Sequence, residues 1–204
     1  MNICIFASGT GSNFNAILKA VKSKKLNSKI SLLISNNPEC GAVNIAKKNN
    51  IEFEIINRKK YSLLTDKQYS NIFLNALKRS GADLIVLCGY MKMIEKEVLK
   101  KYENKIINIH PALLPSFGGK GMYGINVHKA VIAAGVKVSG VTIHFVNENY
   151  DEGKIIFQKC CEVKAGDDEY SLQKKVLKLE HNYYWKVIRS FENLGFRIWE
   201  LDDF

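Results

Sequence analysis

The chain has 204 residues, which suits one domain of ordinary size that buries roughly 70% of its extended-chain surface on folding. Thirty Lys and Arg residues against twenty Asp and Glu residues give a formal net charge of +10. The lysines are spread over many segments, so this charge alone identifies no nucleic-acid partner. No apolar run approaches the ~20 residues that span a bilayer, and no basic and apolar leader begins the sequence. We expect one domain, residues 1–204, without a membrane partner.

The five cysteines include no CxxC pair, and Cys160 and Cys161 are neighbours on a predicted strand, where their side chains point to opposite faces. This pattern favours reduced thiols over a disulfide framework. We therefore expect a cytoplasmic protein.

Short apolar runs alternate with helical stretches in the first half of the chain. The runs predicted as buried strands are residues 3–7, 30–34, 51–56, 84–88 and 106–109. The stretches predicted as helices are residues 13–21, 42–48, 67–79 and 95–102. This βαβ alternation predicts an α/β fold with a doubly wound, mostly parallel sheet. Ligands collect at the carboxyl ends of such strands, so we expect the loops after Ala7, Cys88 and Ile109 to share one crevice.

The second half of the chain has a different pattern. The run SFGGKGMYG, residues 116–124, has four glycines and predicts either a mobile lid or a plain connector. After a helix near residues 127–134, the segments 136–146 and 153–163 predict two longer strands joined by the acidic turn NENYDEG, which makes the C-terminal strands mixed. A helix over residues 169–194 and a short stretch, FRIWEL, complete the prediction.

The first predicted strand ends in the turn GTGSN, residues 9–13, which we call the glycine turn. Free backbone N–H groups at the positive end of a helix dipole suit a phosphate, and Ser12 and Asn13 add polar contacts. The dinucleotide fingerprint needs a third glycine where Phe14 stands, and the P-loop lysine is missing. The pattern disfavours NAD and ATP. It fits a smaller phosphate, or a turn in which glycine serves geometry alone.

The motif INIHP places Asn108 and His110 two residues apart at the end of a predicted strand, so their side chains share a face. A histidine there can donate a proton near neutral pH, and the amide beside it can donate to an oxyanion. Asp151, in the following acidic turn, is the best-placed carboxylate to raise the pKa of His110 and keep it charged. His128 and His181, taken singly, fit structural roles.

Other chemistries fit the sequence less well. The four histidines show neither HExxH spacing nor cysteine pairing, so we expect no metal. No GxSxG elbow is present, which argues against a serine hydrolase. Transfer of an acyl group to an amine through an oxyanion needs only the Asn, His and Asp already named.

Five motifs taken together resemble the phosphoribosylglycinamide formyltransferase family over residues 1–199: GTGSNF, LIVLCGYMKMI, INIHPALLPSF, GVTIHFVNENYDEGKII and LEH. The resemblance implies a formyltransferase-type Rossmann-like fold. It also implies transfer of the formyl group of 10-formyltetrahydrofolate to the amine of glycinamide ribonucleotide in purine synthesis. Both substrates are small molecules. No metal and no nucleic acid are implied, and we expect a monomer or a weak homodimer.

The resemblance also assigns site residues. The ribonucleotide set is Gly11, Ser12, Asn13 and Glu180. The catalytic set is Asn108, His110 and Asp151, with His144 in a supporting role. The folate set is Met91, Lys92, Met93, Ile94, Asn108, Phe145 and Val146. Many family members have an arginine that contacts folate where this chain has Lys67, so Lys67 either replaces it or the contact is lost. Gly118 stands where proline is frequent.

Related enzymes share the Asn-x-His-Pro motif. A methionyl-tRNA formyltransferase has a further C-terminal domain, and a formyltetrahydrofolate hydrolase carries a regulatory domain before the catalytic one. The length of this chain therefore favours the ribonucleotide enzyme. A non-catalytic nucleic-acid-binding module would use the +10 charge, but the sequence shows no stacking motif or basic stripe.

Overall fold

The computed structural model describes residues 1–195, so the predicted FRIWEL stretch lies outside the described residues. Two compact units are present: Met1–Ile107, and the part of the chain from Asn108 onward. Within residues 1–195, no helix combines the length and the apolar character needed to cross a bilayer. All five cysteines are free thiols.

The first unit alternates strands and helices. Its strands are β1 (Asn2–Phe6), β2 (Lys29–Ser35), β3 (Phe53–Ile55) and β4 (Leu84–Leu87). Its helices are α1 (Ser12–Lys22), α2 (Gly41–Lys48), α3 (Asp66–Arg79) and α4 (Lys96–Lys101). Strand β1 pairs in parallel with β2 and β4, and β2 pairs in parallel with β3. Strand β4 and most of β1 are fully buried, which explains their unbroken apolar sequences.

Strand β5 (Ile106–His110) leads into the second unit, which continues with α5 (Ile125–Ala133), β6 (Val138–Phe145), β7 (Ile155–Glu162) and α6 (Glu169–Leu194). Strands β6 and β7 pair antiparallel, with a register shift between Ile143 and His144. Strand β6 is buried over nearly its whole length, whereas β7 has many exposed residues. Helix α6 starts at a capping box formed by Asp168 and Ser171.

The seven strands have the order β3-β2-β1-β4-β5-β6-β7 in the sheet, with β7 and β3 at its edges. The predicted α/β fold, with a doubly wound, mostly parallel sheet and mixed C-terminal strands, is therefore confirmed. Every predicted element within the described residues is present. The main difference is β3, which is three residues long instead of the six predicted, because only Phe53–Ile55 follows the ladder of β2. Whether the chain acts as a single domain stays a prediction.

Candidate active site

Strand β5 positions two of the predicted catalytic side chains. Its burial pattern leaves Asn108 half-buried between buried neighbours, and His110 is the last residue of the strand. Because the two residues are two apart, their side chains lie on the same face. Asn108 contacts His144 of β6, since the Asn108 Nδ2 atom lies 3.1 Å from His144 Nε2.

Asp151 completes a group with these three residues, which we call the His110 cluster (Asn108, His110, His144 and Asp151). The His110 Nδ1 atom lies 3.4 Å from Asp151 Oδ2, and His144 Nε2 lies 3.6 Å from Asp151 Oδ1. Both histidines are almost fully buried, and the Asp151 side chain is 12% exposed. One carboxylate thus faces two imidazoles in a largely water-excluded place.

Carbonyl contacts fix the proton positions on both rings, because a carbonyl oxygen only accepts hydrogen bonds. The Nε2–H of His110 donates to the Phe117 carbonyl at 2.8 Å, and the Nδ1–H of His144 donates to the Phe145 carbonyl at 2.7 Å. In a neutral His144, Nε2 is then an acceptor, so the Asn108 amide donates to it. In a neutral His110, the lone pair of Nδ1 faces Asp151.

The pKa of His110 is lowered from its ordinary value of 6.5. Burial is the largest cause. Asp151 and the Phe117 carbonyl raise the pKa, but burial and His144 together lower it more. Asp151 raises the pKa of His110 as expected, but the expectation that it keeps the ring charged is wrong, because burial outweighs it. The sequence identified the carboxylate but carried no measure of how deeply the ring is buried.

The pKa of Asp151 shifts downward. Burial raises it, but contacts with His144, His110 and the Gly119 amide together lower it more. The Gly119 N–H donates to Asp151 Oδ2 at 2.9 Å. Asp151 is therefore ionised near neutral pH, while His110 is neutral.

The backbone around the cluster is strained at two residues that are not glycine. Phe117 has φ 58° and Asp151 has φ 59°, both in the left-handed region that side chains disfavour. Phe117 supplies the carbonyl that His110 contacts, and Asp151 supplies the carboxylate. The strain therefore lies at the two positions that set the surroundings of the imidazole.

The glycine turn lies in the first unit and begins three residues after the end of β1. Gly11 is the N-cap of α1, with φ 77°, and its carbonyl accepts from the Asn15 N–H at 2.8 Å. A Cβ added at Gly11 would lie 2.8 Å from Ala42 Cα, so this glycine is required by packing as well as by its backbone angle. Ser12 and Asn13 are the first two residues of α1, where backbone N–H groups lack intrahelical partners.

The segment after β4, residues 91–94, we call the Met91 segment. Met91 and Met93 are 46% and 45% exposed, which is unusual for large apolar side chains, whereas Ile94 is buried. Lys92 is exposed between the two methionines. An exposed apolar pair with a cation between them could contact a flat, anionic ligand.

The remaining predicted residues are placed as follows. The ring of Phe145 is buried and packs edge-on against Phe191 of α6, and Val146 is half-buried just after β6. Glu180 is half-buried on α6, and Lys67 is exposed in the first turn of α3. The packing of Phe145 supports a structural role for its ring. The shared crevice and the assigned substrate contacts stay predictions.

Comparison with known proteins decides the family. Residues 1–188 match the family model described as formyl transferase. The chain belongs to the formyl transferase family. The resemblance found in the sequence, including the formyltransferase-type fold, is confirmed.

Individual members of the formyl transferase family agree with this assignment. A phosphoribosylglycinamide formyltransferase from Bacillus subtilis is 35% identical over 193 residues, which are 95% of each chain. The crystal structure of one from Bacillus halodurans has a TM-score of 0.85 at 34% identity, covering 96% of this chain and 100% of that one. A chloroplastic enzyme from Arabidopsis thaliana is 41% identical over 186 residues, and the chain spans 63% of that relative's length.

One departure from the formyl transferase pattern has a structural correlate. A Cβ at Gly118 would lie 2.6 Å from Leu114 Cδ2 and 3.2 Å from Asp151 Cβ. The loop at Gly118 therefore packs so closely against Leu114 that the proline implied by the resemblance would force the Leu114 side chain to move. The absence of a side chain at Gly118 lets the loop lie close to Asp151, where the next amide, Gly119 N–H, donates to the carboxylate.

Sequence reasoning missed the backbone groups of this candidate site. The Phe117 carbonyl and the Gly119 N–H both contact the His110 cluster, yet neither depends on a particular side chain. The glycine-rich run predicted a loop at residues 116–124, but it gave no indication of which groups the loop would contact. Among residues 1–195, no group of three or more His, Cys, Asp or Glu side chains is arranged to hold a metal ion.

Proposed function

We propose that this chain transfers the formyl group of 10-formyltetrahydrofolate to the amine of glycinamide ribonucleotide, in the synthesis of the purine ring. The observation that carries the proposal is the His110 cluster, in a chain of the formyl transferase family whose relatives are named for this activity. The cluster offers an amide donor, an imidazole and an ionised carboxylate without a covalent nucleophile. Those groups suit direct attack of an amine on a formyl carbon.

In the proposed reaction, the amine nitrogen forms a bond to the formyl carbon and the carbonyl oxygen becomes an oxyanion. Asn108 donates one amide N–H to His144, and this contact orients its second N–H toward the oxyanion. The bond between the formyl carbon and the folate nitrogen then breaks. The proton lost by the amine replaces the formyl group on that folate nitrogen.

His110 takes this proton from the amine and afterwards gives it to the folate nitrogen, which returns the ring to its neutral form. Because its pKa is lowered and Nδ1 faces an ionised Asp151, the neutral ring is ready to accept a proton at Nδ1 and pair with the carboxylate. The imidazolium so formed donates more strongly. For Nε2–H to reach the oxyanion, the Phe117 carbonyl that now accepts it must move away. The glycine-rich loop, residues 116–124, would then work as a lid.

The residues proposed to contact the ribonucleotide are Gly11, Ser12 and Asn13 of the glycine turn, and Glu180. Backbone N–H groups at the start of α1, with the Ser12 hydroxyl, hold the 5′-phosphate. Asn13 contributes a polar contact beside it, and Glu180 accepts hydrogen bonds from the ribose hydroxyls. Gly11 lets the backbone approach the phosphate closely, because it carries no side chain.

The residues proposed to contact the folate are those of the Met91 segment, together with Asn108, Phe145 and Val146. The exposed methionines supply apolar contact to the pterin ring. Lys67 replaces the family arginine toward the anionic glutamate tail. We propose a cytoplasmic monomer or weak homodimer that acts on these two small molecules without nucleic acid or a metal ion.

The test is a formyl-transfer assay with purified protein, 10-formyltetrahydrofolate and three separate acceptors. We expect loss of the formyl donor only with glycinamide ribonucleotide, matched by one equivalent of formylated product. Transfer to methionyl-tRNA would assign the chain to the tRNA enzyme, and loss of the donor in water alone would make it a hydrolase. Either of these results would overturn the proposal.

A further inference from the structure

Ser8, the second residue after β1, contacts the loop that follows β4 through both its backbone and its side chain. The Ser8 N–H donates to the Gly89 carbonyl at 3.1 Å. The Met91 N–H donates in return to Ser8 Oγ at 2.9 Å. Two hydrogen bonds therefore hold one short segment, residues 89–91, against a single residue.

The proton of the Ser8 hydroxyl has a defined acceptor. Since Oγ accepts from Met91, its own O–H points to the Oδ1 atom of Asn36, 2.5 Å away, just after β2. The carbonyl of Asn36 accepts in turn from the Asn57 side chain at 3.0 Å, after β3. We call these contacts the Ser8 network.

The Ser8 network links the carboxyl ends of four strands in the first unit. A hydroxyl is the smallest group that donates to one partner and accepts from another at the same atom. Alanine at this position would remove both bonds, leaving the Met91 amide without its acceptor and Asn36 Oδ1 without its donor. The network also lies between the glycine turn, which begins at the next residue, and the Met91 segment.

We propose that Ser8 is a positioning residue that fixes the Met91 segment, and with it the site for the pterin of the formyl donor. The inference rests on the proposed function for the identity of the ligand. The hydrogen bonds from Met91 to Ser8 and from Ser8 to Asn36 carry it. Ser8 itself takes no part in the chemistry.

The first test measures local order without any substrate. We expect the amide hydrogen of Met91 to exchange with solvent roughly tenfold faster in Ser8→Ala than in the wild type, because it loses its acceptor. Ser31→Ala is the matched control. Ser31 is another half-buried serine of the same unit, and its hydroxyl donates to the Ile3 carbonyl at 3.4 Å. Unchanged Met91 exchange in Ser8→Ala would overturn the proposal.

The second test separates binding from chemistry. Ser8→Ala should raise the KM for 10-formyltetrahydrofolate about three- to tenfold, while kcat and the KM for the ribonucleotide change less than twofold. Ser8→Thr, which keeps the hydroxyl, should restore the folate KM to within twofold of the wild type. An equal rise in both KM values would indicate general loosening and contradict a specific role.

A double-mutant cycle completes the test. Asn36→Ala removes the acceptor of the Ser8 hydroxyl, so its effect on the folate KM should add little to that of Ser8→Ala. Fully additive effects would show that the two residues act independently, against the proposal. If the wild type formylates no ribonucleotide but Met91 exchange still quickens in Ser8→Ala, the proposed function fails while the positioning role stands.

Discussion

The Ser8 network and the His110 cluster both hold polar groups near strand ends, but they use different kinds of interaction. The Ser8 network consists of neutral donors and acceptors, half-buried or exposed, each satisfied by its neighbour. The His110 cluster brings two buried histidines and one carboxylate together. Neutral hydrogen bonds hold a geometry at little cost in desolvation, whereas buried ionisable groups cost several kcal/mol and are retained where their protonation is used.

Substitutions in the two regions should therefore have different effects. Substitutions in the neutral network should change binding and local order with little dependence on pH. Substitutions in the His110 cluster should change turnover, because the proposed proton transfer passes through it.

Asp151→Asn should lower kcat by roughly 10²–10⁴ with both substrates saturating, because the imidazolium of His110 loses the charge that stabilises it. The amide can still accept from the Gly119 N–H, so the loop keeps its anchor. The measurement is kcat in the formyl-transfer assay, with the melting temperature as a check on folding.

Asp167→Asn is the matched control for this substitution. The Asp167 side chain is 9% exposed, close to the 12% of Asp151, and it pairs with Lys175 at 2.5 Å. It should alter stability and leave kcat within twofold of the wild type. A folded Asp151→Asn protein that keeps more than a third of the wild-type kcat would rule out the assigned role.

The limits of sequence reasoning differ between these two regions. Asn108 and His110 were predictable, because strand spacing alone puts them on one face. The contacts of Phe117 and Gly119 were not, since they depend on left-handed backbone angles at Phe117 and Asp151 that the sequence does not fix. The net pKa shift of His110 depends on burial, a property of the whole fold.

The same reasoning applies to the first unit. Unbroken apolar runs predicted its strands. The glycine turn predicted a phosphate site or a glycine required by geometry alone, and the packing of Gly11 against Ala42 supports the need for glycine while the phosphate site stays a prediction. The length of β3 was overestimated, because apolar residues at 51 and 56 extend beyond the ladder. Ser8 gave no signal, because a serine after a strand is common in any loop. Its importance depends on the partners that the fold supplies.

A smaller effect is expected at the glycine turn. Ser12→Ala should raise the KM for glycinamide ribonucleotide about tenfold, because it removes one hydrogen bond to a charged phosphate. The KM for the folate should change less than twofold. Steady-state kinetics with each substrate varied in turn measure both constants.

Gly11→Val tests packing at the same turn. Valine would have to adopt the left-handed φ of Gly11, and its side chain would clash with Ala42. We therefore expect a lower melting temperature in addition to weaker ribonucleotide binding. Gly166→Val, at a loop glycine whose added Cβ meets no atom of the described residues within 4 Å, should leave both properties nearly unchanged. For Ser12→Ala, an equal rise in the KM of the ribonucleotide and the KM of the folate would argue against a phosphate site at the glycine turn.

The smallest effect concerns His128, a buried histidine that the proposed mechanism does not use. Burial, and secondarily the nearby His110, lower the pKa of His128 from 6.5 to about 4, and its Nδ1 has no hydrogen-bond partner within residues 1–195. The unfolded chain takes up this proton at a higher pH than the folded one. His128 therefore favours unfolding increasingly as pH falls from 6.5 toward 4.

Replacing His128 by phenylalanine should remove this dependence. Between pH 6 and 4.5, the unfolding free energy of the wild type should fall more steeply than that of His128→Phe, by up to about 1.4 kcal/mol per pH unit, the slope of one proton. Urea denaturation across this range measures the difference. At pH 7.5 the ring is neutral in both folded and unfolded chains, so the offset there reports packing alone. If the unfolding free energies of the wild type and His128→Phe changed in parallel with pH, His128 would be protonated equally in the folded and unfolded chains. Burial would then not lower its pKa.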